Sequence, residues 1–284
     1  MKTRLIVYLA LACIVSSISA EAQNADSLTQ RKQFLDSTLR AEHLQVIEGN
    51  PRVFYSNGFQ PRSNAIQKLV HDCIIFYESE FAGKRFDQDV FILDRNDWER
   101  LKLEFPYGLP FYSRNDRMLV VPAEKNALRR LSGMPDDPEK SEAVISTFDY
   151  QVLHELGHYF FFTLNNVYTE KWMNEFLATY FLLCYIQPRD LAPDLPKMLQ
   201  ANFPVSHRTL DDFENIYTGV GPANYHWYQS KFAMLGYSLY PQLKEKLIVL
   251  ALQNYSPGGK HLDAKNFLLS LSPGTVSAWL NEMK

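Results

Sequence analysis

His154 and His158 stand four positions apart in VLHELGHYF (residues 152–160), and Glu155 follows the first of them directly. On a helix, residues i and i+4 leave the same face one turn apart, so two imidazoles at this spacing can reach one metal ion. Zinc accepts nitrogen and carboxylate ligands. A catalytic zinc site draws three of them from the protein and leaves a fourth position for water. A carboxylate next to the first histidine is placed to take a proton from that water. The bland alternative is a buried helix that carries two histidines by chance. Against it, two histidines and a glutamate are costly on an apolar segment unless something satisfies them, and a cation does so.

A third ligand is needed. WMNEFLATYF (172–181) carries Asn174 and Glu175 in a run with hardly another polar group, and a lone buried carboxylate requires a cation or donors. Glu175 comes 17 positions after His158. That interval is enough to end one helix, turn, and start an antiparallel one whose first turn faces the histidines. The expected metal ligands are therefore His154, His158 and Glu175, with one Zn2+ as cofactor and Glu155 as the general base. Asn174 is expected to hydrogen-bond backbone near the site, and Gly157 to keep crowding low where the metal helix meets its neighbour. The competing reading of Glu175 is a carboxylate that stabilises the N-terminus of its own helix.

The elements that must position these groups follow from hydrophobic spacing. AIQKLVHDCIIFYESEF (65–81) has helical periodicity, while DVFILD (89–94) and RMLVVPA (117–123) are short apolar runs that predict strands. FPYGLPFYSRND (105–116) between them is rich in turn residues and reads as a loop or hairpin. A strand near 117–121 with a free edge could take up an extended peptide by β-addition. SGMPDDPEK (132–140) is a linker by composition. A helix over 142–164, apolar nearly all round, and a second over 169–188, with Thr169 as N-cap and Pro188 as stop, are both expected to be buried. Residues 189–284 read as several helices with loops at 203–206, 219–224 and 256–259. The predicted class is α+β, with residues 46–188 as an α/β lobe carrying the metal-binding helices and residues 189–284 as a helical C-terminal lobe.

HELGH followed by Trp172, Asn174, Glu175, Ala178, Thr179 and Tyr180 resembles the gluzincin metallopeptidases, in particular the catalytic domain of the aminopeptidase N-like group. The interval of 16 residues between His158 and Glu175 is slightly shorter than is usual in that group. YQSKFAMLGYSL (228–239) resembles a further segment of the family, through Phe232, Ala233, Leu235 and Tyr237. That alignment nominates Tyr228 as the donor to the oxyanion of the tetrahedral intermediate, a sound role for a phenol hydroxyl. Tyr225 and His226 are rivals for it. The resemblance implies a thermolysin-like catalytic core, a small mixed sheet lobe followed by a mainly helical one, and peptide or protein substrates. The strand motif by which the aminopeptidases hold a substrate's free amine is absent, so exopeptidase specificity is not implied. Two other readings stay open: a catalytically silent scaffold on the same fold, and hydrolysis of a non-peptide bond at the same zinc site. Trp227, Tyr228, Tyr107, Phe111 and Tyr112 can line a substrate subsite, though such aromatics more often pack the core.

With 46% hydrophobic and 14% aromatic residues, the 284-residue chain has a globular composition. A net charge of −3 gives no basic bias toward nucleic acid. Lys2 and Arg4 precede the apolar run LIVYLALACIV and the small residues SSISA, the order of a secretory signal over residues 1–20, followed by a polar leader with a short helix over 21–45. The run is too short to span a membrane, and the residues before Cys13 fit lipoprotein anchoring poorly. Loss of residues 1–20 removes two positive charges and no acids, taking the net charge from −3 to −5. Export to the periplasm or the extracellular space is expected. Of three cysteines, Cys73 and Cys184 lie beyond the signal, and both sit in apolar helical patterns that favour buried free thiols over a disulfide. The sequence does not indicate an oligomeric state.

Overall fold

The computed structural model describes residues 44–81, 85–101, 103, 105–114, 118–130, 138, 142, 145–164, 167–192, 195, 205–217, 222–255 and 262–284. The expected signal segment, and the leader up to residue 43, lie outside the described residues.

Among the described residues five strands form one mixed sheet: β1 (Gln45–Ile47), β2 (Val53–Tyr55), β3 (Asp89–Leu93), β4 (Phe111–Ser113) and β5 (Met118–Pro122), in the order β1-β2-β3-β5-β4. β3 runs parallel to both β2 and β5, and β4 pairs antiparallel with β5, Tyr112 opposite Leu119. Helix α1 (Gln60–Glu80) connects β2 to β3, and the short α2 (Arg95–Arg100) follows β3. Strand alternation divides the apolar residues between two faces. Val53, Tyr55, Val90, Ile92, Leu119 and Val121 join the main core, while Phe54 and Phe91 stack at 4.9 Å on the other face.

The strand near 117–121 was read as having a free edge, and here the structure differs. β5 is wholly buried between β3 and β4, as a near-continuous apolar strand of a mainly parallel sheet should be. The edge on that side is β4, which lies inside the segment read as a loop or hairpin.

The remainder is mostly helical. A 3-10 turn at Phe148–Tyr150 leads into α3 (Gln151–Thr163), followed by α4 (Lys171–Ile186). The single helix expected over 142–164 is interrupted: Glu142, Ile145 and Ser146 are α-helical, the backbone turns at Thr147–Tyr150, and α3 starts at residue 151. α4 is preceded by Glu170 as N-cap rather than Thr169, and it gives way to a 3-10 turn at Gln187–Arg189 that contains Pro188. Beyond it come α5 (Leu210–Ile216), α6 (Pro222–Leu243), α7 (Lys246–Asn254), α8 (Ala264–Leu271) and α9 (Pro273–Glu282). The elements from Val46 onward belong to one compact unit. α3 lies against β4 and β5 on one side and against α4 on the other, and α4 in turn packs along α6. Cys73 on α1 and Cys184 on α4 are both buried free thiols. No helix among the described residues is long and apolar enough to cross a membrane.

Candidate metal centre

α3 carries His154 and His158 on one face, their ring centroids 4.7 Å apart and nearly perpendicular. Gly157 explains how α4 comes close enough to meet them. A Cβ on residue 157 would stand 3.0 Å from Ala178 Cα and 3.1 Å from its carbonyl oxygen, so only glycine allows this helix crossing without displacement. Asn174 fixes the start of α4. It accepts from the Tyr168 amide at 2.8 Å and donates to the carbonyls of Tyr168 and Glu170, holding the turn between the two helices. The expectation for Asn174 was of this kind.

The crossing delivers Glu175 to the histidines. His154 Nε2 lies 3.1 Å from His158 Nε2 and 3.2 Å from Glu175 Oε2, and His158 Nε2 lies 3.5 Å from Glu175 Oε1. Metal bonds of about 2.0–2.1 Å at tetrahedral angles separate neighbouring ligand atoms by roughly 3.3 Å. Two imidazoles and a carboxylate at this spacing suit a zinc ion in donor type and in distance. Among the described residues this is the one group of three histidine, cysteine or carboxylate side chains that could hold a metal. His154 and Glu175 are each 3% exposed, so their polar atoms must be satisfied from within the protein.

The charges of the protein groups reinforce one another. Burial opposes an ionised Glu175, but His158 and the hydrogen bonds from both histidines hold its carboxyl well below the usual range. Burial likewise opposes a charged His158, yet Glu175, and to a lesser extent Glu155, push its imidazole up to about 9. The Glu155 carboxyl is raised: burial dominates, and His154, His158 and the Tyr112 amide counteract it in part. Glu155 Oε2 accepts from the backbone N–H of Tyr112 on β4 at 2.8 Å, so the edge strand of the sheet orients the carboxylate beside the two histidines and Glu175.

Glu175 also accepts from three further donors. Tyr217 donates to Oε1 at 2.6 Å, while Tyr225 and Gln229 donate to Oε2 at 3.0 and 2.7 Å. Burial and the neighbouring Glu175 raise the pKa of both phenols, so each remains a donor.

Tyr228 is not among them, which corrects the nomination of that residue. Its side chain is fully buried against Phe213, and its hydroxyl donates to the Thr209 carbonyl at 2.7 Å. The reason is helical phase. Tyr225 and Gln229 are i and i+4 on the stripe of α6 that faces Glu175, whereas Tyr228 and Phe232 form the neighbouring stripe, which faces α5. His226 is kept neutral, its imidazole pushed down to about 4 by burial.

Sequence reasoning missed Gln229 and Tyr217. Gln229 had a signal in its four-residue spacing from Tyr225. Tyr217 had none: it lies just past the end of α5 at φ 32°, a backbone conformation rare outside glycine. No family model, curated protein or solved structure matches this chain.

Proposed function

We propose that the protein is a zinc-dependent metallopeptidase of the gluzincin type, with a thermolysin-like core, acting on peptide or protein substrates. The observation that carries this reading is the convergence of His154, His158 and Glu175 on one point, with Glu155 beside them. In this reading His154, His158 and Glu175 hold one zinc ion. When bound, the ion polarises the scissile carbonyl and lowers the pKa of its water. Glu155 takes a proton from the attacking water and returns it to the leaving amine. Its raised pKa suits a group that must both accept and release a proton, and the Tyr112 amide keeps its carboxylate aimed. Tyr225, a protonated phenol at the site, takes the role of oxyanion donor in place of Tyr228, its hydroxyl turning its one hydrogen from Glu175 to the developing negative charge. β4 ends the sheet next to Glu155, so an extended peptide can add along it. The export signal expected at residues 1–20 would bring this activity to the periplasm or the extracellular space.

Metal quantification on the purified protein, followed by profiling against a quenched peptide library, tests the proposal. The wild type is expected to bind one zinc and to cleave. Glu155→Gln is expected to retain the zinc while cleavage falls by about 10²–10⁴-fold. Undiminished cleavage by Glu155→Gln would sink the mechanism. Stoichiometric zinc in a folded wild type that cleaves no peptide would favour the silent scaffold instead.

A further inference from the structure

The donors behind the metal ligands form a closed chain, and its direction can be worked out atom by atom. Gln229 Nε2 lies 2.7 Å from Glu175 Oε2. An ionised carboxylate only accepts, so the amide nitrogen of Gln229 must face it and the amide oxygen must face away. That oxygen, Oε1, lies 3.0 Å from Thr179 Oγ1. An amide oxygen also only accepts, so the Thr179 hydroxyl gives its proton to Gln229. Thr179 Oγ1 lies 3.1 Å from His154 Nδ1. Its own proton being committed, the oxygen can only accept there, and Nδ1 must carry a hydrogen. A metal-binding imidazole is neutral, so with the hydrogen kept on Nδ1 it gives up the Nε2 hydrogen that faces Glu175 and offers its lone pair there.

From this geometry we propose that Thr179 and Gln229 are positioning residues that lock His154 as the Nδ1–H tautomer and tie it to Glu175, so that two of the three metal ligands are oriented by one hydrogen-bonded loop. The proposal rests on the metal-site reading above. The loop joins three helices: His154 lies on α3, Thr179 and Glu175 on α4, and Gln229 on α6. Thr179 is 5% exposed and His154 3%, so bulk water does not compete for Nδ1. The adjoining cavity, bounded by Gln151, His154, Thr179 and Gln229 among leucines, measures about 30 Å³, room for one water. Partners of this kind orient a metal-binding imidazole and raise its basicity, and losing one typically costs 10–100-fold in metal affinity.

The test measures zinc affinity by competition with a chromophoric chelator in the wild type, Thr179→Val, Thr179→Ser, Gln229→Leu and the Val/Leu double variant. Thr179→Val keeps the side-chain shape and removes the hydroxyl, and Thr179→Ser keeps the hydroxyl. Expected are affinities weaker by 10–100-fold in Thr179→Val and in Gln229→Leu, and near the wild type in Thr179→Ser. The double variant should lose less than the product of the two single losses, because either change already opens the loop. Long-range ¹H–¹⁵N correlation on histidine-labelled, zinc-loaded wild type provides a readout that needs no variant to fold. It is expected to show His154 with a slowly exchanging hydrogen on Nδ1. Coordination of His154 through Nδ1, or wild-type affinity in either Thr179→Val or Gln229→Leu, overturns the proposal. A wild type that takes up no zinc is a different result, and it removes the metal-site reading itself.

Discussion

Tyr225 and Tyr228 are three positions apart on α6, yet their hydroxyls reach Glu175 and the Thr209 carbonyl respectively. Conservative removal of each hydroxyl should therefore give opposite phenotypes. Tyr225→Phe is expected to lower kcat by about 10²–10³-fold, the usual loss for one oxyanion donor, with little change in KM. Tyr228→Phe is expected to leave kcat alone and to cost about 1 kcal/mol in denaturant unfolding, for one buried hydrogen bond. Steady-state kinetics on the pair decides it, and a kcat loss confined to Tyr228→Phe would reverse the assignment. The cluster of His154, His158 and Glu175 was legible in the sequence because the spacing of the proposed ligands is itself the chemistry: i and i+4 histidines on a helix, and a lone glutamate in a nearly uncharged one. The proposed oxyanion donor was not, because the choice among Tyr225, His226 and Tyr228 depends on which stripe of α6 faces Glu175. That phase is set by packing of α6 on α4, a contact between segments about fifty residues apart.

At the scale of elements, the site depends on how closely α3 and α4 cross. Gly157→Ala puts a methyl against the Ala178 backbone, which cannot rotate away as a side chain would. The helices must part by a few tenths of an ångström, and Glu175 moves with α4. The expected result is a stability loss of about 1–3 kcal/mol in chemical denaturation, accompanied by weaker zinc binding. Wild-type stability together with wild-type zinc affinity would show that the crossing is not what positions Glu175. Hydrophobic spacing revealed both helices and the interior strands β3 and β5, whose apolar runs are long enough to be distinctive. It did not reveal β4. Three residues, Phe111–Ser113, carry too little pattern to mark a strand, and they become one only by pairing with β5. The element that supplies the amide to Glu155 was therefore not marked as a strand in the sequence, and neither were β1 and β2, which are as short.

For the whole molecule, the proposed metal site would couple folding to pH and to zinc. In metal-stripped protein His158 has its folded pKa raised from 6.5 to about 9. Its contribution to stability is then complete below pH 6.5 and is lost as pH rises through about 9. Glu175 is shifted the other way, so its contribution is present above pH 4.5 and is lost as pH falls through its depressed folded value. The pair thus contributes most between about pH 4.5 and 6.5. Zinc needs the His158 lone pair that the proton occupies, so binding must release that proton, and affinity should strengthen as pH approaches 9. Thermal unfolding of stripped protein should accordingly give a lower Tm at pH 9.5 than at pH 6.5, and the rise in Tm on adding buffered zinc should be larger at the higher pH. At free zinc about 100 times Kd the stabilisation is about 2.7 kcal/mol, or roughly 5–10 °C for a chain of this size. His158→Gln supplies the control, since it removes both the titrating group and a ligand. A pH slope and a zinc response that survive in His158→Gln would place their origin elsewhere in the protein.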